Sequence, residues 1–196
     1  MTTLYLVRHG QTLFNAQHKI QGFCDSPLTE LGIKQAKMAR ANLEKEGIQF
    51  DEAYTSTSER AIDTLELLTD LPYERIKDLR EWNFGSYEGE GEHLNPPLPY
   101  NDYFVQFGGE SQEEVEARIS STIKKIIEKS HAKSHAKNSL IVSHGAAIAN
   151  FYRHWEHTSP VKKNVKIQNC SLFKYTYSDN QFILEDIIEH DFSSIL

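Results

Sequence analysis

A short apolar run followed by a stretch with apolar residues at helical spacing recurs along this chain. That alternation leaves few folds open. Residues 3–7 are the first apolar run, too short for a helix and closed by Gly10. Residues 10–28 are punctuated by Gly10, Asn15, Gly22 and Asp25-Ser26-Pro27 and read as loop. Ile33, Ala36, Ala39 and Leu43 fall on one face of a helix predicted over 29–46, with Gly47 as its stop. A second strand is expected over 52–55. Ser56-Thr57-Ser58-Glu59 then fits a capping box that opens a helix through Ala61, Leu65 and Leu68, ending before Pro72.

Residues 76–79 read as a third strand, followed by Arg80 and Glu81. Residues 82–110 are long, irregular and rich in glycine, proline and aromatics, and a loop of that length in a compact domain is usually functional. Ser111 to Glu114 repeats the capping-box pattern, and its helix carries Val115, Ile119, Ile123, Ile126 and Ile127 on one face. A strand over 140–142 runs into Ser143-His144-Gly145, with a helix over 146–155. Two alternating runs, 171–177 and 182–188, form a hairpin around Ser178-Asp179-Asn180. The order predicts an α/β fold: three layers, α/β/α, with a mostly parallel, mixed central sheet and a small helical and loop cap after the third strand. No internal repeat or second domain is visible. The 196 residues therefore read as one domain, 1–196, with 82–110 as the cap insertion.

Several of these predicted strands end close to a histidine, arginine or acid. Arg8-His9-Gly10 follows the first, Arg60 the second, Glu81 the third and His144 the fourth. Ligands of open α/β sheets bind beyond the carboxyl ends of the strands, so these scattered residues can meet at one site. Two arginines and two histidines there make an anion pocket, because the planar guanidinium fork matches phosphate oxygens in pairs. Gly10 lets backbone approach a ligand closely.

Composition removes other functions. With 28 acidic and 21 basic residues the formal charge is −7, which argues against a general nucleic-acid binder. No apolar run approaches transmembrane length, and no signal peptide is visible, so a cytoplasmic location with no membrane partner is expected. Cys24 and Cys170 form no disulfide framework or zinc spacing, and the Asn169-Cys170-Ser171 sequon reads as chance. His131 and His135 of the SHAKSHAK stretch stand four apart, as metal-binding histidines on a helix can. No carboxylate or cysteine joins them, so a solvated helix end is the expectation.

Leu6-Val7-Arg8-His9-Gly10-Gln11-Thr12 with Asn15, Ser58-Glu59-Arg60-Ala61, Glu81 ahead of Phe84-Gly85, and Val142-Ser143-His144-Gly145 occur in that order. Together they resemble the histidine phosphatase superfamily, also called the phosphoglycerate mutase family, over essentially the whole chain. The resemblance implies His9 as a nucleophile that becomes phosphohistidine. It implies Arg8, Arg60 and His144 as the phosphate pocket, with Asn15 as a further donor to the same phosphate and Glu81 as proton donor to the leaving oxygen. Gln21, Gly22 and Gly145 are expected at the substrate site. The chemistry is consistent: histidine attacks phosphorus only as neutral imidazole, and the adjacent arginines disfavour a second positive charge. They also argue against a bound metal, and no cofactor is expected.

The family holds both mutases and phosphatases. The mutases typically carry Glu-Arg-His-Tyr-Gly at the acid, where this chain has Glu81-Trp82-Asn83-Phe84-Gly85. Residues 85–109 contain no lysine or arginine but include Glu88, Glu90, Glu92 and Asp102. The expectation is therefore a phosphomonoester phosphatase acting on a small phosphorylated metabolite, metal-independent and of unassigned oligomeric state. A mutase-type phosphoryl transferase and a non-catalytic binder of phosphorylated ligands are the alternatives. Tyr100, Tyr103, Phe104 and Phe107 form either the roof of the pocket or the packing of the cap.

Overall fold

The protein is described here by a computed structural model covering residues 1–133, 138–162 and 166–196. Six strands form one sheet: β1 (Thr2–Arg8), β2 (Glu52–Ser56), β3 (Tyr73–Ile76), β4 (Asn138–Ser143), β5 (Leu172–Ser178) and β6 (Gln181–Ile188). Their order is β3-β2-β4-β1-β5-β6. β1 and β2 both pair parallel with β4, and β3 pairs parallel with β2. The hairpin β5–β6 is antiparallel and joins antiparallel to β1, which makes the sheet mixed as expected. Four carboxyl ends therefore point to one edge of the sheet.

Alternation along the strands divides the core. Leu4, Leu6 and Ile141 face one side and pack against α4 (Gln112–His131) and α5 (Gly145–Trp155) through Ile119, Ile123, Ile127, Ile148 and Phe151. Tyr5, Val7, Leu140 and Val142 face the other side and meet Ala36, Ala39 and Leu43 of α2 (Glu30–Lys45), and Ala61, Leu65 and Leu68 of α3 (Glu59–Leu68). A third cluster, Ile20, Trp82, Phe84, Phe104 and Val115, is the apolar centre of the cap. The cap itself is loop with three short 3₁₀ turns.

Four local expectations need correction. The third strand is Tyr73–Ile76, and 77–79 is a 3₁₀ turn, because β3 pairs with β2 through a half-exposed segment with no apolar run while Leu79 is buried in the turn. Ser56 is the last residue of β2. The N-cap of α3 is Ser58, which makes no side-chain capping bond. Ile33 is exposed, and the buried face of α2 is Gly32, Gln35, Ala36, Ala39 and Leu43. The stretch 10–28 contains a one-turn helix, α1 (Leu13–Ala16), closed by a reciprocal capping box between Thr12 and Asn15. The Ser111–Glu114 box forms as predicted. His131 ends α4 with its ring on the Thr2 hydroxyl at 2.9 Å, whereas His135 lies outside the described residues. Among the described residues no helix is long and apolar enough to cross a membrane, and no group of three or more metal-ligating side chains is assembled.

Candidate active site

The end of β1 delivers the first two groups. Arg8 is its last residue, held by backbone bonds to β5's approach, Arg8 N to Ser171 O and Cys170 N to Arg8 O. His9 follows, its amide donating to Ser143 O at the end of β4. The His9 ring is 4% exposed, and its Nδ1 lies 2.8 Å from Gly10 O. A carbonyl only accepts, so Nδ1 carries the proton and the neutral ring keeps its lone pair on Nε2. Burial, then the charges of Arg60 and Arg8, hold the imidazole well below the usual histidine range. Gly10 meets a different constraint from the one expected. A Cβ there would lie 2.7 Å from Gly32 O, so the glycine allows β1's exit to press against α2.

Arg60 sits in the first turn of α3 and is fully buried. Its Nη1 donates to Cys24 O at 2.9 Å and Asp25 Oδ1 at 2.7 Å, and its Nη2 to Gly22 O at 2.8 Å. Three of its five donors are thereby used, and Nε has no protein partner. Arg8 is similar: Nη1 donates to Ile167 O at 2.6 Å, while Nε is buried and unpartnered. His144, fully buried at the end of β4, stands 5.3 Å from the His9 ring between centroids. Its Nε2 contacts the Ser56 hydroxyl at 2.8 Å, and its Nδ1 has no partner. Burial, followed by Arg60 and His9, holds His144 well below its usual range.

Glu81 is 6% exposed and lies against the start of α5. Its carboxylate accepts from Trp82 N at 2.9 Å, Ala146 N at 2.9 Å and Ala147 N at 2.8 Å. It thus caps a helix whose own N-cap, His144, gives no side-chain bond. Burial raises its pKa above the ordinary glutamate value, with the three amides and Arg60 working the other way. Behind it, Arg118 of α4 donates to the carbonyls of Asp78, Arg80 and Glu81 and forms a two-point pair with Glu110 at 2.7 and 2.8 Å.

A cavity of about 540 Å³ opens over this ensemble, within the range of small-molecule sites. Arg8, His9, Asn15, Gln21, Glu81 and Gly145 line it, whereas Arg60, His144 and Gly22 are not part of the wall. Gly22 is packed instead, since a Cβ there would lie 2.0 Å from Trp82 O. Gln21 is committed at both ends, to the Thr12 and Ser26 hydroxyls. Of the four aromatics considered for a roof, only Tyr100 reaches the cavity, joined by Phe84. Phe104 is fully buried in the cap, and Tyr103 and Phe107 pack on Tyr87.

Sequence reasoning missed three polar residues. Asp25 pairs with Arg60, Asn169 donates to His9 O at 3.0 Å and Asn15 Oδ1 at 3.2 Å, and Lys166 lines the cavity from a loop far along the chain. Lys19 joins it on the wall, so cations approach the cavity from outside the cap. Asp25 had one legible signal, a carboxylate in a turn ahead of a strand-to-helix arginine. The other two had none.

A family profile described as histidine phosphatase superfamily (branch 1) matches residues 4–189. A 2,3-bisphosphoglycerate-dependent phosphoglycerate mutase of Porphyromonas gingivalis is 38% identical over 95 residues. That match takes in 45% of this chain and only 38% of the relative, so less than half of either protein is compared. In structure, a phosphoglycerate mutase from Bacillus anthracis str. Sterne superposes with a TM-score of 0.83 at 31% identity, over 94% of this chain and 92% of the other. A phosphoserine phosphatase from Entamoeba histolytica, solved with 3-phosphoglyceric acid, gives a TM-score of 0.77 at 23% identity over 97% and 98%, a likeness of fold. The chain belongs to the histidine phosphatase superfamily, whose members are phosphatases or mutases that use a histidine nucleophile.

Proposed function

We propose that this protein is a phosphomonoester phosphatase that works through a phosphohistidine on His9, with a small phosphorylated metabolite as substrate. The observation that carries the reading is His9 on the wall of one cavity with Arg8 and Glu81, its Nδ1 bound to a carbonyl and its Nε2 free, under the charges of Arg8 and Arg60 and beside the His144 ring. Arg8 Nε, Arg60 Nε and His144 Nδ1 are buried without a protein partner, which is costly, and a phosphoryl group on His9 would bring acceptors to this charge-rich end of the sheet. With its proton on Nδ1, His144 accepts the Ser56 hydroxyl at Nε2 and offers Nδ1–H to a phosphate oxygen.

In this reading His9 Nε2 attacks phosphorus in line with the leaving oxygen. The bond from phosphorus to that oxygen breaks, and the alcohol leaves with the proton of Glu81. The arginines stabilise charge spread over the equatorial oxygens. Water then attacks the phosphohistidine, giving its proton to Glu81, and inorganic phosphate leaves with His9 restored. A cation beside Arg8 and Arg60 would be repelled, so the cycle needs no metal, and a chelator is expected to leave turnover unchanged.

The preference for hydrolysis rests on the cap. It contributes Phe84, Glu92, Asn95, Leu98 and Tyr100 to the cavity wall, with no cation among the described residues. Trp82 and Asn83 turn away, the indole donating to Glu110 O and the Asn83 side chain capping Gly85 N. The mutase reading has its own support in Lys19 and Lys166, which flank the cavity and suit a second phosphate, and in the named mutases among the relatives. Phosphorus NMR on 3-phosphoglycerate, with and without 2,3-bisphosphoglycerate, alongside simple aryl and alkyl phosphates, separates the two. Release of inorganic phosphate from the monoesters is the expected result. Bisphosphate-dependent isomerisation without release would overturn it.

A further inference from the structure

Glu88 lies in the cap, outside the cavity wall and outside every role described so far, yet its half-buried carboxylate is among the most heavily bonded groups near the site. Oε1 accepts from Phe23 N at 2.9 Å and Phe84 N at 3.0 Å, and Oε2 from Gly22 N at 3.0 Å and Cys24 N at 2.9 Å. All four partners are backbone amides, and three are consecutive. A loop that curls three successive N–H groups around one anion presents carbonyls elsewhere. Two of those carbonyls, Gly22 O and Cys24 O, are the acceptors that hold the Arg60 guanidinium. The peptide between Gly22 and Phe23 therefore lies between opposite charges, its N–H on Glu88 at 2.9 Å and its C=O on Arg60 at 2.8 Å. Its dipole is aligned with both, so each bond polarises the other. Gly22 is the residue that permits this approach, since a Cβ there would lie 2.4 Å from Glu88 Oε1.

We propose that Glu88 is a positioning residue: it fixes the 22–24 loop so that the loop's carbonyls hold Arg60 in register with His9 and the phosphate. The proposal rests on the phosphatase reading of the site. Arg60 is fully buried and its remaining partner, Asp25, bonds Nη1 alone. Without Glu88 the Nη2 anchor rests on an unfastened loop. The free Nε edge then loses its aim.

The test compares Glu88→Ala and Glu88→Gln with Tyr87→Phe, a cap substitution that removes the Tyr87–Tyr103 hydroxyl contact and touches neither the loop nor Arg60. A misplacement of a positioning group costs about 100-fold, so Glu88→Ala is expected to lose about that much kcat/KM towards an aryl phosphate, and Glu88→Gln less. His9 is faced by Arg8 and Arg60, by His144 and by Glu81. Displacing Arg60 removes one of the charges that keep His9 neutral. The acidic limb of kcat/KM is therefore expected to move to higher pH in Glu88→Ala and to stay in place in Tyr87→Phe. On an Arg60→Ala background the Glu88 substitution should cost nothing further.

Wild-type kcat/KM in Glu88→Ala would overturn the proposal. So would a loss of equal size on the Arg60→Ala background, or a limb that does not move. If Glu88→Ala does not fold, Glu88→Gln carries the same readouts. Calorimetric binding of inorganic phosphate separates this proposal from the one beneath it. A wild type that binds phosphate but hydrolyses no ester defeats the phosphatase reading, and weakened phosphate binding by Glu88→Ala then still supports the positioning role.

Discussion

Acidification from about pH 8 to about pH 5.5 should destabilise the fold through His9 and His144, by on the order of 1 kcal/mol per ring, and His9→Gln should lose less than the wild type by about one ring's share. Both residues are buried, at 4% and 0% exposure, and both are held well below the ordinary histidine range by burial and then by Arg60. In the unfolded chain each titrates near its ordinary value. A depressed folded pKa gives stability that is full above 6.5 and is lost as pH falls towards the folded value. One pH unit below 6.5 the unfolded chain binds most of a proton per ring that the folded chain disfavours, worth on the order of 1 kcal/mol per ring. That is a large share of the ~5–15 kcal/mol that typically separates folded from unfolded chains. Glu81 acts in the opposite sense: its raised pKa gives stability that is present at low pH and lost as pH rises. Glu81 is common to both proteins, as is His190, also depressed, so both cancel in the comparison. Urea unfolding followed by tryptophan fluorescence at the two pH values gives the difference. Equal losses in wild type and His9→Gln would refute the claim that His9 is held neutral.

Three further outcomes follow from individual contacts. Glu81→Gln should lower kcat by about 10²–10⁴-fold, with a smaller effect on a nitrophenyl ester than on an alkyl ester, since a good leaving group needs no proton. Gly22→Ala places a Cβ 2.0 Å from Trp82 O and should destabilise the fold by about 1–3 kcal/mol in thermal unfolding, with activity falling alongside. Asn169→Ala removes the donor to His9 O and Asn15 Oδ1, and steady-state kinetics should show kcat/KM down about tenfold, the scale of one hydrogen bond.

What could be read from the residues is what the residues themselves encode. β1 and β4 are apolar runs buried on both faces, so their ends, and with them His9 and His144, were visible in the chain. β3 was misplaced because an edge strand with Glu74 and Arg75 exposed has no apolar pattern to read, and the nearest one, Ile76 with Leu79, belongs partly to a turn. The capping box at Ser56 failed because that hydroxyl is used by Ser58 N, two residues on, and by His144, a partner that arrives only after β2 and β4 have paired. Glu88 and Asn169 were illegible for a related reason. They act on backbone amides and carbonyls brought together by the fold, and backbone groups leave no mark in a sequence. The cap's aromatics were legible as apolar mass, but which of them faced the cavity was decided by packing around the fully buried Phe104.

In the proposed cycle His9 carries the phosphoryl group between two half-reactions. Rapid quenching after brief incubation with a ³²P-labelled monoester tests it most directly. The expected result is a phosphoenzyme that survives base and is lost in acid, as a phosphorus–nitrogen bond requires, and that is missing from His9→Ala. A covalent phosphate stable to acid, or one retained by His9→Ala, would contradict it.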